Sequence, residues 1–403
     1  MNITDVGHLT SDADAGEDKM MKALKRENLP INKDSMLKIA EKYTEHFKKD
    51  LNNLNIIFPD IFCKATEHIP QMIDMIKKIQ DNGYTYESES AVYFDISKFK
   101  NYGKLAQLKM ENLEAGARVE IDKEKINPND FVLWFKATGK HKNDVMQWDS
   151  IFGRGFPGWH IECSAMSTYY LGEQFDIHTG GMDLIPVHHT NEIAQTEAAT
   201  KKHPWVKYWM HGEFLVLNKE KLSKSTGGSF FTLDSLTNKY DPLSYRYLCL
   251  TAHYRKPLNF SLEALDSSQI SFNKLRSKVQ ELINSKKEGL SPEAYIEEFQ
   301  ASINDDLNMP QALAVLWNLI KDETIDDQQK YDAIVNFDRI FGLKLNEIKS
   351  LEIPEEILIL VEEREKMRTV KNWQESDRIR QLISEKGYTV LDSGNGPVIT
   401  KSI

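Results

Sequence analysis

Residues 159–217 alternate between helix-like and strand-like segments, and this alternation restricts the possible fold more than any other feature. WHIECSAMSTYYLG has the pattern of a helix that Gly172 ends, and FDIH that of a strand leading into Gly180 and Gly181. VHHTNEIAQTEAA has the pattern of a helix, and MHGEFLVL, residues 210–217, that of a strand. Such alternation predicts a parallel α/β layer.

The rest of the chain lacks this regular alternation of helix-like and strand-like segments. Residues 33–54 and 66–82 carry apolar side chains at helical spacing, whereas NITDV, residues 2–6, and DFVLWF, residues 130–135, are typical of strands. Beyond residue 235 almost the whole pattern is helical until GYTVLD and PVITK, which predict a terminal strand pair. We therefore expect an α/β first half and a mainly helical second half.

Length and cysteine content limit the class of protein. The 403 residues suffice for two to four domains of roughly 100–200 residues each. Three widely spaced cysteines, Cys63, Cys163 and Cys249, argue against a disulfide framework and favour a reducing compartment. No apolar run approaches the ~20 residues that span a bilayer, and the acidic start does not resemble a signal peptide. We expect a cytoplasmic protein without a membrane partner.

The net charge of −10 argues against broad, non-specific nucleic-acid binding. Two local stretches are nevertheless basic, KKHPWVKYW at residues 201–209 and REKMRTVKNW at residues 364–373. Each is either a patch for a phosphate backbone or an ordinary solvated helix face, and the residues alone favour the latter.

Three residues of types that bind transition metals lie close in the sequence. His188 and Glu192 are four apart on a predicted helix and share a face, and Cys163 is near the start of another helix. Thiolate, imidazole and carboxylate together suit zinc, and three protein ligands would leave one position for a substrate. The alternatives are a surface His–Glu hydrogen bond and a cysteine buried in the core.

Two further motifs are compatible with a nucleotide. KLSKSTGG offers Lys221 and Lys224, whose ammonium groups can neutralise phosphate oxygens during transfer. Gly180 and Gly181 follow a strand, where paired glycines let a ligand approach the backbone. A solvated lysine loop and an ordinary turn are the alternatives.

Taken in order, these motifs resemble the cysteinyl-tRNA synthetases, which are class I aminoacyl-tRNA synthetases. GRGFPGWHIECSAM resembles the family's central signature, and FDIHTGGMDL and HHTNEIAQTEA resemble its second-half nucleotide fold. KLSKS is similar to the class signature KMSKS, with Leu222 in place of Met. The resemblance covers nearly the whole chain. It implies an α/β Rossmann-like class I synthetase catalytic domain, N-terminally truncated, then an α-helical bundle and a small α+β C-terminal anticodon-binding domain.

The resemblance also implies a division of the chain into segments. They are the remainder of the first half of the Rossmann catalytic fold (1–72), a connective-peptide insertion (73–157), the second half of the Rossmann fold with the zinc site (158–208), a stem-contact fold with the KLSKS loop (209–269), a helical bundle (270–350) and an anticodon-binding domain (351–403).

The implied function is a cysteine–tRNA ligase, which uses ATP to form cysteinyl-adenylate and transfers cysteine to tRNA(Cys). In this family one zinc ion per chain, held by two cysteines, a histidine and a glutamate, binds the substrate's thiol. The expected metal ligands are Cys163, His188 and Glu192; the substrate-binding residues Thr4, Trp159, His178 and Asp183; the ATP-binding residues Gly180, Gly181 and Lys224; and the catalytic residues Lys221 and Lys224.

The expected partners are L-cysteine, ATP with Mg²⁺ and tRNA(Cys), and we expect a monomer. The family's H-I-G-H signature occurs nowhere in these residues, and the resemblance puts it, with the other zinc cysteine, before Met1. We therefore expect that the 403 residues alone do not activate cysteine. We also expect the sheet to be split between NITDV and the strands near residues 175 and 213.

Two other functions stay open at this level. One is a non-catalytic tRNA-binding protein, and the other is the sister ligase that joins cysteine to an amino-sugar. Residues 351–403, which resemble an anticodon-binding end, distinguish them, because the sister ligase uses no tRNA. Trp373 and Tyr388 in this segment are available for base stacking, although each can equally be a core aromatic, the reading we favour for Tyr388.

Overall fold

The computed structural model divides the chain into two compact units. The first contains Met1–Lys49 and Phe58–Glu213, and the second contains Asp50–Ile57 and Phe214–Ile403. The structure describes residues 1–7, 19–107, 123–217, 220–221, 232–285, 287–348, 353–393 and 396–401. Our six predicted segments are finer than this division, and their boundaries stay predictions.

The first unit mixes helices with parallel and antiparallel strands. Its described elements are β1 (Asn2–Ile3), α1 (Lys19–Arg26), α2 (Lys33–Asn53), β2 (Cys63–Lys64), α3 (Ile69–Asp81), β3 (Thr85–Glu87), β4 (Ala91–Phe94), β5 (Phe131–Lys136), β6 (Gly155–Pro157), α4 (Trp159–Leu171), β7 (Phe175–Gly181), α5 (Thr190–Thr200) and β8 (Val206–Gly212). The last residues of α2, from Asp50, belong to the second unit.

The predicted parallel layer is confirmed. Strands β7 and β8 pair in parallel from Phe175 opposite Val206 to Gly181 opposite Gly212, and α5 forms the crossover between them. Strands β1 and β2 form another parallel pair. Among the described residues no strand pairing joins β1–β2 to β7–β8, so the predicted separation of these strands is also found.

An antiparallel sheet of order β3-β4-β5-β6 completes the strand content of the described part of this unit. Its apolar side chains share a core with three helices, to which Met72 of α3, Ile161 of α4 and Ala194 of α5 contribute. Small residues such as Ala165 and Ala198 face this core, so the helices can pack closely. Helices α4 and α5 are therefore buried on nearly all sides where they carry the predicted metal ligands.

Two predicted boundaries are wrong. MHGEFLVL is not one strand, because β8 ends at Gly212 and the next strand, β9 (Leu215–Leu217), pairs in parallel with β11 (Leu258–Phe260) in another sheet. The predicted helix over residues 187–199 is regular only from Thr190, and a π-helical turn, Ile185–His189, precedes it. Hydrophobic periodicity did not indicate that the chain changes from one sheet to another after Gly212. It also did not indicate the wider helical turn before Thr190.

The second unit is mainly helical. Its described elements continue with β9, β10 (Glu220–Lys221), α6 (Leu233–Leu236), α7 (Pro242–Leu250), β11, α8 (Leu262–Asn284), α9 (Glu293–Asn304), α10 (Met309–Lys321), α11 (Asp327–Phe341), α12 (Glu355–Thr369), α13 (Trp373–Glu385), β12 (Tyr388–Ser393) and β13 (Gly396–Lys401). Strands β12 and β13 are antiparallel neighbours, which confirms the predicted terminal pair.

Side-chain caps set several helix ends in this unit. Asp241 accepts a hydrogen bond from the backbone N–H of Leu243 at the start of α7, and Ser261 caps α8 in the same way. Asp326 caps α11, which ends at Gly342 in a left-handed conformation (φ 63°). These local signals agree with the helical pattern that the sequence predicts.

The described residues of the second unit form separate hydrophobic cores. One includes Leu236 and Leu265 beside the β9–β11 sheet, and a larger one includes Phe272 and Phe337 among α7 to α11. A third, around Ile379, belongs to α12, α13 and the terminal strands. No described helix is both long and apolar enough to cross a membrane.

Candidate metal centre and active site

Gly158 allows helix α4 to start immediately after strand β6. A Cβ atom at this position would lie 2.0 Å from the carbonyl oxygen of Val132 on β5, so only glycine fits this close approach. The helix begins at the next residue, which places Trp159, His160 and Cys163 within its first turns. The sharp strand-to-helix passage thus brings these side chains to one end of α4.

The three predicted metal ligands meet in the structure. One candidate ligand atom from each of Cys163, His188 and Glu192 lies within 4.8 Å of the other two, and all three residues are buried. Nε2 of His188 is 2.6 Å from Oε1 of Glu192. One cation could therefore contact all three residues.

His178 approaches the same carboxylate from strand β7. Its Nε2 atom lies 3.0 Å from Oε2 of Glu192, and His178, His189 and Glu192 form a second group of convergent donors. Both oxygens of Glu192 lack an aligned hydrogen bond despite these short distances. Nitrogen and oxygen atoms that are close but not aligned with each other are typical of ligands that face a common cation.

The electrostatics of the site depend on burial and on Glu192. Burial and the charge of Glu192 raise the pKa of the Cys163 thiol well above its usual value. For Glu192 burial opposes ionisation, but His188 and His178 outweigh it and lower the pKa of this carboxylic acid. A buried carboxylate beside a neutral thiol attracts a cation, and a bound cation would favour the thiolate form of Cys163.

The described side chains fit a zinc ion. Sulfur, imidazole nitrogen and carboxylate oxygen are all frequent zinc ligands, and the sulfur makes calcium or magnesium a poor match. The unaligned oxygens of Glu192 add a structural reason for a cation at this point. The identity of the metal stays a prediction.

A second set of contacts holds α4 and α5 in register. The side-chain amide of Gln195 donates to the carbonyl oxygen of His160 at 2.5 Å and to the hydroxyl of Ser164 at 2.6 Å. Nδ1 of His160 lies 2.8 Å from Nδ1 of His188, and both rings are buried. Asn2 of β1 donates to the sulfur of Cys163 at 3.1 Å. These contacts fix the positions from which the three donors converge.

The rings of His189, in the turn before α5, and of Trp209 and His211, on β8, form one side of the pocket around His178. Nδ1 of His189 lies 2.8 Å from Nε2 of His211, and both rings contact that of Trp209. Burial lowers the pKa of His189 to about 3; the charge of Glu192 opposes this effect and the neighbouring imidazoles add to it, so this ring is neutral near pH 7. These rings restrict His178 without adding positive charge at His189.

The remaining predicted substrate residues lie in different environments. The half-buried ring of Trp159 is 4.3 Å from that of His188, measured between centroids, so it lies beside the metal ligands. Thr4 and Asp183 are exposed. Their roles in binding the substrate stay predictions.

Gly180 and Gly181 are at the end of β7, as the sequence predicts, but the described contacts give Gly180 a packing reason. A Cβ atom there would lie 2.5 Å from Cε1 of His189. At Gly181 it would lie 2.4 Å from Oδ1 of Asp183, the end of a flexible side chain. A role of this turn in ATP binding stays a prediction.

The two lysines of KLSKS belong to the second unit. The backbone of Lys221 lies in β10, which pairs with β9. Lys224 lies outside the described residues. The structure therefore does not test the catalytic and ATP-binding roles predicted for them.

Comparisons with known proteins agree on one family. Residues 2–270 match the family model described as the class I (C) catalytic domain of tRNA synthetases. A protein of Treponema denticola named cysteine–tRNA ligase is 46% identical, over 97% of this chain and 85% of that protein. Cysteine–tRNA ligase 1 of Burkholderia lata is 45% identical, over 98% and 82%. The chain belongs to the cysteine–tRNA ligase family.

A solved structure supports the fold. Methionyl-tRNA synthetase of Mycobacterium tuberculosis, in complex with methionyl-adenylate, matches with a TM-score of 0.54 at 14% identity, over 82% of this chain and 81% of that one. At this identity the match bears on the fold only. It confirms the class I synthetase fold that the motifs predict, together with the family match.

Two residues beside the predicted metal ligands of this cysteine–tRNA ligase family member were not predicted from the sequence. His160 precedes Cys163 by three positions and Gln195 follows Glu192 by three, so each lies on the same helix face as a predicted ligand. This spacing could have identified both. Nothing in the local sequence pairs His189 with His211 or Asn2 with Cys163, because packing alone joins them.

Helices α12 and α13 with strands β12 and β13, which we call the C-terminal module, have an exposed aromatic residue beside an arginine. Trp373 is 56% exposed, and the Arg368 guanidinium lies 5.8 Å from its ring. Arg364 and Arg368 both hydrogen-bond Asp392, and the Arg364 contact lowers the pKa of that carboxylic acid. Tyr388 instead packs against the core of this module, in agreement with the core role favoured from the sequence.

Proposed function

We propose that this chain recognises L-cysteine through a zinc ion held by Cys163, His188 and Glu192, and that this recognition serves a ligase reaction in which cysteine is activated with ATP and transferred to tRNA(Cys). The observation that carries this proposal is the convergence of one soft and two harder donors within 4.8 Å in a buried site. The names of the relatives support the choice of a tRNA ligase over the amino-sugar ligase.

The donor set gives a physical basis for choosing cysteine over serine. An apolar pocket separates near-isosteres by only ~1–3 kcal/mol. A zinc ion bound here would supply a soft Lewis acid that prefers sulfur to hydroxyl oxygen. Cys163, His188 and Glu192 would leave a coordination position free for the substrate. Trp159 would bound the amino-acid pocket beside His188.

The chain's other residues would contribute position and charge. The substrate's carboxylate attacks the α-phosphate of ATP and pyrophosphate leaves. The terminal ribose hydroxyl of the tRNA then loses its proton and attacks the adenylate carbonyl, and AMP leaves as the ester forms. Lys221 and Lys224 would stabilise charge on the leaving phosphates, with Mg²⁺ accompanying ATP. Gly180 and Gly181 would bring the backbone close to the nucleotide, and Thr4, His178 and Asp183 would orient the amino acid.

Binding of tRNA is assigned to the C-terminal module. Trp373 offers an exposed ring for base stacking, and the half-buried Arg368 lies beside it. The exposed side chain of Arg378 pairs with Glu375 and therefore adds little net positive charge to this surface. A monomeric state and a cytoplasmic location stay predictions.

Cobalt(II) substitution tests amino-acid recognition without requiring catalysis. We expect the cobalt-loaded chain to change its thiolate charge-transfer absorption when L-cysteine is added and not when L-serine is added, because only the thiol supplies a further sulfur ligand. His188→Ala should bind the metal far more weakly. Equal responses to both amino acids, or no stoichiometric metal binding by the unsubstituted chain, would contradict the proposal.

Cysteine-dependent ATP–pyrophosphate exchange measures the activation step itself. The absence of an H-I-G-H run from these residues leads us to expect no exchange by the 403-residue chain alone. Robust exchange would show that expectation to be wrong, while leaving zinc-based recognition of cysteine intact.

A further inference from the structure

His160 has a buried contact with a predicted metal ligand that the proposed chemistry has not yet used. Its Nδ1 atom lies 2.8 Å from Nδ1 of His188, and the two residues are only 1% and 5% exposed. Nε2 of His188 faces the carboxylate of Glu192 at 2.6 Å. The two nitrogens of His188 therefore face different partners, one on each side of the ring.

This arrangement restricts the proton positions on both rings. Two ring nitrogens at 2.8 Å form a hydrogen bond only if one carries a proton and the other accepts it. A nitrogen that binds a metal must be free of its proton. If Nε2 of His188 is the ligand atom, the His188 proton is on Nδ1, and Nδ1 of His160 must be the acceptor. Neutral His160 then carries its own proton on Nε2.

The surroundings of His160 prevent its ring from moving away. The residue follows the first position of α4, directly after the close passage at Gly158. Its carbonyl oxygen accepts a hydrogen bond from Gln195 on α5, and its ring contacts Phe131 edge-on with centroids 5.7 Å apart. Both the backbone and the ring are thus held at a fixed distance from His188.

We infer that His160 is a positioning residue, which accepts a hydrogen bond from Nδ1 of His188 and so holds Nε2 of that ring unprotonated and directed at the metal. This inference rests on the proposed function, because it takes a metal ion at Cys163, His188 and Glu192 as given. Outer hydrogen-bond partners of ligand histidines commonly set both ring orientation and metal affinity.

Three substitutions at His160 separate an acceptor role from a packing role. His160→Asn places an amide oxygen near the former Nδ1 position and keeps the acceptor. His160→Gln places its amide near the former Nε2 position and withdraws the acceptor from His188. His160→Leu removes the polar group altogether. Met166→Ala is the matched control, because it opens a cavity in the buried face of the same helix without touching a ligand.

The measurement is zinc affinity, by competition with a chromophoric chelator, together with the cobalt(II)–thiolate spectrum of each variant. We expect about 10–100-fold weaker zinc binding for His160→Gln and His160→Leu, and near-normal binding for His160→Asn. Met166→Ala should lower the melting temperature while keeping normal zinc affinity. If His160→Leu does not fold, the Asn and Gln pair still decides the question.

The outcomes separate the two proposals. Unchanged zinc affinity in His160→Gln, or equal loss in the Asn and Gln variants, overturns the role of His160 and leaves the metal site standing. A failure of the unsubstituted chain to bind zinc overturns the proposed function and the inference together.

Discussion

Glu192 shows how a single residue concentrates the chemistry of this site. Its side chain is fully buried, and the nearest partners of its two oxygens are imidazole nitrogens rather than guanidinium or ammonium groups. A buried carboxylate is costly unless it is paired or coordinates a metal. His188 and His178 lower its pKa, which keeps it ionised without a full permanent countercharge. The residue is therefore ionised in the buried site and available to bind a cation.

Glu192→Gln should weaken zinc binding and reduce the stabilisation that zinc provides. Zinc at about 100 times its Kd adds about 2.7 kcal/mol to the free energy of unfolding, and a tenfold loss of affinity at the same zinc concentration reduces this to about 1.4 kcal/mol. We expect at least a tenfold loss, measured as the difference in unfolding free energy with and without zinc. The metal-free variant should be less stable than the metal-free parent, because the lowered pKa of Glu192 means that the folded chain favours the ionised carboxylate; the comparison with and without zinc separates this effect from the loss of metal binding.

Glu173→Gln is the control for this measurement. Glu173 is a half-exposed carboxylate that contacts Lys202 at 3.6 Å and touches none of the donors. Its substitution should leave the stabilisation by zinc unchanged. A Glu192→Gln variant that gained the same stabilisation from zinc as the parent would argue against a metal at this carboxylate.

Gly180→Ala should destabilise the chain through overpacking. The added methyl would lie 2.5 Å from Cε1 of His189 and 2.9 Å from Cδ1 of Leu184, and the His189 ring is itself confined by Trp209. We expect a loss of about 1–3 kcal/mol in urea unfolding. Gly212→Ala is the matched control, since a Cβ there meets nothing within 4 Å, and a similar loss in both would refute the packing argument.

At the scale of elements, polar contacts between the buried faces of α4 and α5 fix these two helices relative to each other. Gln195 bonds to His160 and Ser164, and Ser164 donates to the carbonyl oxygen of Glu192 at 3.4 Å. Small side chains in the shared core allow the two helices to come close enough for these bonds. The positions of the ligands thus depend on the pairing of two helices rather than on a loop.

Another pair of elements is joined by charge in the second unit. Arg255, after α7, makes hydrogen bonds through its guanidinium to both oxygens of Asp306, after α9, and Tyr254 donates to the same carboxylate at 2.6 Å. Arg255, followed by Tyr254, lowers the pKa of Asp306 from 3.8 to about 2. This contact connects the loop before β11 with the turn between α9 and α10.

The Asp306 contact predicts a pH dependence of stability. A carboxylic acid whose folded-state pKa is lowered stabilises the fold above its unfolded pKa, and this contribution is lost as pH falls through the folded value. The stability advantage of the parent over Asp306→Asn should therefore be complete above pH about 4 and shrink between pH about 4 and 2. Urea unfolding at several pH values measures it, and an advantage that does not change over this interval would disprove the assignment.

At the scale of the whole molecule, net charge and function place opposite demands on the chain. A protein of charge −10 repels a polyanion unless cations gather locally. The C-terminal module offers Arg368 beside Trp373, and Arg364 and Arg368 together engage Asp392. Recognition of tRNA there would depend on stacking and on a few directed contacts rather than on overall charge.

Trp373→Ala should weaken binding of tRNA(Cys) by about 1–3 kcal/mol, the usual contribution of one base–aromatic stack. The cobalt(II) response to L-cysteine should stay unchanged, because Trp373 belongs to the second compact unit and the metal ligands belong to the first. Affinity can be measured by filter binding at fixed salt. Tyr388→Phe is the control and should bind normally, since Tyr388 packs against the module's core. Normal tRNA binding by Trp373→Ala would exclude stacking at this residue.

The sequence by itself determined the local features of this protein. The four-residue spacing of His188 and Glu192 places both on one helical face, and the strand–helix alternation of residues 159–217 predicts a parallel layer, which the structure contains as β7–β8 although the second strand lies earlier than predicted. Ordered motifs also identified the family, which the comparisons show. These features follow from neighbours in the chain, where backbone geometry fixes which side chains share a face.

Only the tertiary structure decided which distant groups meet. Cys163 reaches His188 and Glu192 because α4 packs on α5, and His160 joins them through a contact 28 positions away in sequence. The split after Gly212 and the π-helical turn before Thr190 also depend on partners elsewhere in the fold. The periodicity of apolar residues indicates which face of a helix or strand is buried, but not which other element packs against that face. A metal site depends on the packing partner, because its ligands come from different elements.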